Sequence, residues 1–179
     1  GAQLEQGSYP TSYIPNYGTS AGITRSAETA NGAGDASTFN SSEGVLMAEI
    51  SALSEIGTSR AISISNGSST TNRLVLQYTN SASGNEIVAF AQATSYSSVL
   101  TRSIPNSTIF GKFAVKYSDT ANTFDLYFNG FKIGEGTWNH SFPTNSLSKI
   151  QLADANGTGN PFYGSAKQIQ YFDSALNDS

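Results

Sequence analysis

The sequence predicts an all-β fold, an antiparallel two-sheet jelly-roll sandwich with little helix. Three observations carry that prediction. Apolar and polar residues alternate with a period of two over many short runs. Glycine, proline, asparagine and serine separate the runs at intervals of about 10–14 residues, the spacing of sandwich strands. Serine, threonine and asparagine also supply about a third of the chain, and their side chains compete for backbone hydrogen bonds, which favours strands and turns over helices.

Taken in order, residues 1–44 are turn-rich and read as an entering strand followed by a long loop, with Tyr9, Tyr13 and Ile14 as packing anchors. The main strands span 45–173. In 45–51, Leu46, Ala48 and Ile50 share one face. In 60–65, Ile62 and Ile64 oppose Ala61, Ser63 and Ser65. After Asn66-Gly67, residues 73–79 place Leu74, Leu76 and Tyr78 together, and 86–93 follows the turn at Ser83-Gly84-Asn85. Phe113, Val115 and Tyr117 line one face of 112–118. Asn129-Gly130 between 123–128 and 131–134 is the strongest hairpin signal, because a type I′ turn needs positive φ at both central residues. Runs at 149–153 and 166–172 complete the set. Residues 174–179 form a C-terminal turn, with Ser174 as N-cap of a short helical turn over 174–178.

At 179 residues the chain fits a single sandwich domain, 1–179, large enough to bury a core without staples. It has no cysteine, which excludes thiol chemistry, zinc–thiolate sites and iron–sulfur clusters. Charged residues are 12% of the chain and the net charge is −4. Nine cations with no basic run give neither the footprint for nucleic acid nor one for anionic lipid. No apolar stretch reaches the roughly 18 residues of a membrane helix.

Three stretches carry a resemblance. YFNGFKIGEG (127–136), the run at 149–152 and NPFYGSAKQIQYFDSALND (160–178) together resemble the closing half of concanavalin A-like, laminin G-like jelly rolls. In that family an Asn-Gly hairpin precedes a final strand that runs into a segment like Tyr171 to Asp178. The opening GAQLEQGSYPTSYIPN (1–16) resembles a junction found in phage structural proteins and bacterial surface proteins. The resemblance implies the jelly roll. For function it implies one of several classes, since lectins, viral fibre domains, glucanases and polysaccharide lyases share the fold.

Catalysis finds little support in the residues. Glycan hydrolysis on this fold needs two carboxylates projecting from one strand face. Glu43 and Glu49 are six apart with Val45 and Met47 between them, and Asp125 has only Tyr127 and Asn129 at the matching spacings. The lone His140 lies in a Trp-Asn-His-Ser segment without a partner base, and no G-x-S-x-G elbow occurs.

Binding finds more. A sugar needs an aromatic face for its C–H surface, flanked by amides and carboxylates. Trp138, the single tryptophan, stands among polar residues with Asn139 and His140 beside it. It reads either as a stacking platform or as a strand-end tryptophan that closes the core. Tyr96, among serines and threonine, reads as a sugar contact or a loop anchor. Arg73 and Gln77 oppose the apolar face of their strand and so face solvent or a groove. Calcium is the one cofactor left open, with Asp154, Asn156 and Asp35 in turn-rich loops as ligands.

The expectation is a non-catalytic, carbohydrate-binding-like module on a virion or cell surface. It would attach a phage fibre to glycan or polysaccharide, beside other virion or surface-protein domains. Trimeric fibres make a homotrimer the assembly implied by resemblance. Two alternatives remain, a ligand-free decorating domain and an ancillary or catalytic domain of a secreted polysaccharide-degrading enzyme.

Overall fold

Among the described residues, period-two alternation becomes ten antiparallel strands in the computed structural model. The structure describes residues 34–53, 59–68, 70–81, 84–155, 157 and 159–177, with Tyr13, Pro15, Tyr17, Gly18 and Ile23 before them. Residues 1–31 and 32–179 form two compact units, and the ten strands belong to the second. Most of the entering strand and loop expected over 1–44, with the anchors Tyr9 and Ile14, lies outside the described residues.

The strands are β1 (Glu43–Ala52), β2 (Arg60–Ser65), β3 (Asn72–Ser81), β4 (Gly84–Ala93), β5 (Tyr96–Ser103), β6 (Gly111–Ser118), β7 (Thr123–Phe128), β8 (Phe131–Gly136), β9 (Lys149–Gln151) and β10 (Gly164–Phe172). One sheet runs β10-β1-β6-β7-β8 and the other β5-β4-β3-β2-β9. This is the predicted two-sheet sandwich.

The faces expected to be apolar are the ones that meet. Leu46, Ala48 and Ile50 from β1 and Phe113, Val115 and Tyr117 from β6 are buried against Ile62, Ile64, Leu74, Leu76 and Ile87 of the opposite sheet. Tyr78 crosses the gap, its ring edge-on to Phe113 at 5.7 Å and its hydroxyl donating to the Ile50 carbonyl at 3.1 Å. Arg102 on β5 ties the sheets at their margin, donating from Nε to the Ile133 carbonyl on β8 at 2.7 Å. The β7–β8 turn has Asn129 at φ 49° and Gly130 at φ 87°, both positive as the Asn-Gly signal requires.

Two expectations need correction. Residues 96–103, where the alternation predicts no strand, form edge strand β5, on which Leu100 alone is buried. An edge strand packs too few side chains to show alternation. The helical turn over 174–178 is also absent. Residues 174–177 are non-helical, Ala175 N donates to Glu43 Oε2 at 3.2 Å, and the Leu176 carbonyl accepts from Lys116 Nζ at 3.3 Å. These contacts hold the segment against β1 and β6, and among the described residues no helix follows Ser174. Asp178 lies outside the described residues.

Candidate functional site

On β2 the outward positions are Ala61, Ser63 and Ser65, all small, and all fully buried although they face away from the core. Residues 153–155 and Asn160 cover them. Ser63 Oγ donates to the Ala153 carbonyl at 2.7 Å, Ser65 Oγ to the Ala155 carbonyl at 2.5 Å, and Ala61 N to the Asn160 carbonyl at 2.9 Å. Asp154 and Gly159 pair across the loop, and Gly157 at φ 75° helps turn it. The loop makes a wall along one side of the outer face, and the next two strands become the floor of a groove.

That groove encloses about 270 Å³. Its floor is set by register, since cross-strand neighbours share a face. Val75 lies opposite Phe90, and Gln77 opposite Val88. Arg73 lies along the floor with its guanidinium carbon 4.7 Å from the Phe90 ring centroid, in cation–π range. From the wall, both carboxylate oxygens of Asp154 accept from Arg73 Nη1, at 2.7 and 2.6 Å. Asp154 Oδ1 also accepts from Ala155 N at 2.8 Å, which fixes the carboxylate from behind. Further along, Asn160 Nδ2 donates to Gln77 Oε1 at 3.0 Å.

The pair is well enclosed, with side-chain exposures of 18% for Arg73 and 19% for Asp154. One donor is left over. Arg73 Nε is buried and has no hydrogen-bond partner among the described residues. A buried donor without an acceptor costs about 1–3 kcal/mol, so stability alone does not account for an arginine held in this place. With Gln77 and Asn160 as further polar partners and Phe90, Val75 and Val88 as apolar surface, the groove suits a hydroxyl-rich ring with an exposed C–H face. It holds one carboxylate among the described residues, and Arg73 occupies it.

The sequence candidates separate into distinct places. Arg73 and Gln77 line the groove as expected. Trp138, the candidate stacking platform, is 1% exposed. Its ring packs on Phe142 at 5.1 Å and Phe124 at 6.3 Å, so it offers a ligand no free face, which corrects the platform reading in favour of core. Tyr96 and His140 do come together, stacked at 3.6 Å with 19° between their planes, and Asn139 beside them is exposed. They are not part of the groove. Tyr96 pairs with Ala93, whose side chain faces the core, whereas Arg73 pairs with Gln92 on the outward face.

Asp154, expected as a calcium ligand, has both oxygens on an arginine instead, and Asn156 lies outside the described residues. Asp35 closes a local turn. Hydrogen bonds from Ser37, then Thr38, hold its carboxyl below the usual carboxylate range. Among the described residues no three His, Asp or Glu side chains converge on one point.

Val75, Val88, Phe90 and Asn160 were missed by sequence reasoning. The first three had a signal, since apolar residues at outward strand positions mark a face that is covered or binds something. Asn160 had none, because it reaches the groove only through the loop.

No family model matches the chain, and comparison with curated proteins finds no match. Solved structures do match. The Ruminococcus gnavus IT-sialidase CBM40 bound to α2,6-sialyllactose superimposes with a TM-score of 0.64 at 18% identity, over 85% of this chain and 92% of that one. The sandwich is similar to CBM40. The same module bound to α2,3-sialyllactose gives 0.63 at 18% identity, over 78% of this chain and 80% of that one. The NanB sialidase of Streptococcus pneumoniae gives 0.63 at 16% identity over 80% of this chain. The leech intramolecular trans-sialidase gives 0.59 at 17% over 78%. This chain spans only 24% and 22% of those two sialidase chains. At these identities the likeness to CBM40 and to the sialidases establishes the fold.

Proposed function

We propose that the chain is a non-catalytic carbohydrate-binding module that holds a saccharide in the Arg73–Phe90 groove and serves as a host- or surface-attachment domain of a phage virion fibre. The observation that carries the binding reading is the Arg73 guanidinium, held by Asp154 over the Phe90 ring on the floor of an open groove with Gln77 and Asn160 beside it. Structural likeness to modules seen with sialyllactose supports a glycan as the ligand class. Attachment on a virion or cell surface rests on the Ser/Thr/Asn-rich, weakly charged sequence and the opening junction motif.

A second reading is an ancillary domain of a larger glycan-processing enzyme. It is favoured by the sialidase matches, in which a comparable sandwich is about a quarter of a longer chain.

A glycan array that includes α2,3- and α2,6-sialyllactose tests the site, run with Arg73→Gln and Gln77→Ala. Saccharide binding is expected in the wild type and should weaken about tenfold or more in Arg73→Gln, the loss of a charge-assisted hydrogen bond. Circular dichroism checks that each variant stays folded. No binding across the array, or equal binding by both folded variants, would sink the assignment.

A further inference from the structure

The wall over β2 bounds one side of the Arg73 groove, and the floor runs on beyond the other side. In the order β5-β4-β3-β2-β9, β3 and β4 carry the floor and edge strand β5 continues it. Register takes the face across. Val75 on β3 lies opposite Phe90 on β4, and Phe90 opposite Val99 on β5. In the next row Gln77 lies opposite Val88, and Val88 opposite Thr101. Side chains opposite one another share a face, so both rows point outward with the groove. With strands about 4.8 Å apart, the floor from β3 to β5 is about 10 Å wide, more than one sugar ring covers.

Burial changes along the apolar row. Val75 is buried, Phe90 is half-buried beneath the Arg73 guanidinium, and Val99 is 54% exposed. A single exposed valine is ordinary on a protein surface. This one is set apart by its position, because it extends a row that begins inside the groove, with exposed Thr101 in the row beside it.

Charge narrows the kind of ligand. Both Asp154 oxygens accept from Arg73 Nη1, so the pair presents no net charge to the groove. Among the described outward side chains of β4 and β5, Glu86 is the one charged group, and it accepts from Thr79 Oγ1 at 3.3 Å. An anionic ligand would meet two carboxylates and an arginine that is already paired. A neutral sugar chain would meet amides at Gln77 and Asn160, a hydroxyl at Thr101, and apolar surface at Val88 and Val99.

We infer that the groove takes an uncharged oligosaccharide, one unit lodged against Asp154 and Asn160 and the next carried across β4 onto Val99 and Thr101. The inference rests on the reading of the Arg73 groove as the saccharide site. It adds a second subsite on β5 and a preference for neutral glycans.

Isothermal titration calorimetry tests it with dimers and pentamers of the malto-, cello-, xylo- and manno-oligosaccharide series. Trigalacturonate and α2,3- and α2,6-sialyllactose are the charged ligands. The variants are Val99→Ser and Arg73→Gln, with Phe131→Ser as control, an exposed residue of the other sheet. Circular dichroism checks each fold. In the wild type at least one neutral pentamer should bind about tenfold or more tightly than its dimer, as a second occupied subsite requires. Val99→Ser should remove that gain and leave the dimer's affinity as in the wild type, whereas Arg73→Gln should weaken both. Phe131→Ser should bind both as the wild type does. The inference is overturned if pentamer and dimer bind alike, if Val99→Ser keeps the gain, or if Phe131→Ser loses it equally. It is also overturned if the charged saccharides bind best. In each of these cases, binding that still falls in Arg73→Gln leaves the saccharide site itself standing. No binding by any saccharide, neutral or charged, overturns both.

Discussion

Trp138 stands between Thr137 and Asn139, and these polar neighbours conceal a core position. Its ring closes the space between the sheets against Phe124 and Phe142, with Nε1 buried and without a hydrogen-bond partner among the described residues. Replacing it by alanine should cost about 3–5 kcal/mol from lost burial and the cavity left behind. Trp138→Phe keeps most of the ring and removes the orphan N–H, so it should stay within about 1.5 kcal/mol of wild type. Urea unfolding midpoints measure both, and saccharide binding by Trp138→Phe should equal that of the wild type. Binding lost in a Trp138→Phe variant of unchanged stability would return the residue to the site. Arg73 shows the reverse case. Strand alternation alone predicted its outward face, whereas its partner Asp154 is 81 residues away and could not be paired with it from sequence.

At the scale of elements, β1 lies between β10 and β6 in its sheet, and its close packing on β10 depends on a missing side chain. A Cβ on Gly44 would meet the Tyr171 hydroxyl and ring of neighbouring β10, and the Phe172 carbonyl at 2.9 Å. Tyr171 cannot easily give way. Its hydroxyl accepts from Asn40 N at 3.0 Å and shares a 2.8 Å hydrogen bond with Tyr117. Gly44→Ala should therefore cost about 1–3 kcal/mol, as overpacking does, and thermal unfolding will show it. An unchanged midpoint would mean that β10 shifts freely, against the register seen between Val45 and Phe172. Most strands were legible because each buries one face. The exposed edge strand β5 was not, nor was the loop that turns the outer face of β2 into a wall.

For the whole molecule, three tyrosines set an alkaline limit. Burial raises the hydroxyls of Tyr78, Tyr117 and Tyr171 above the ordinary tyrosine value, and at Tyr117 the neighbouring Tyr171 adds to the effect. In the unfolded chain these groups lose their protons near pH 10. The folded state then binds more protons than the unfolded one, so stability falls as pH rises. The contribution is fully present below about pH 10 and disappears as pH climbs through the raised folded values. Titration followed by tyrosinate absorbance and circular dichroism should show part of the absorbance appearing only with cooperative unfolding. Complete ionisation near pH 10 with the fold intact would contradict the burial of these residues.

By itself the sequence determined the all-β class, the facing apolar rows, the Asn129-Gly130 hairpin and the outward direction of Arg73 and Gln77. Each of these is local, set by strand period or by the dihedral demands of a turn. The tertiary structure decided which outward residues meet. It joined Asp154 to Arg73 and Asn160 to Gln77 through one loop, and gathered Lys116, Tyr127 and Lys132 around a buried Asp125. Strand alternation assigns a side chain to a face, but neighbours on that face come from strand order and loop path, which the period of a single strand does not encode.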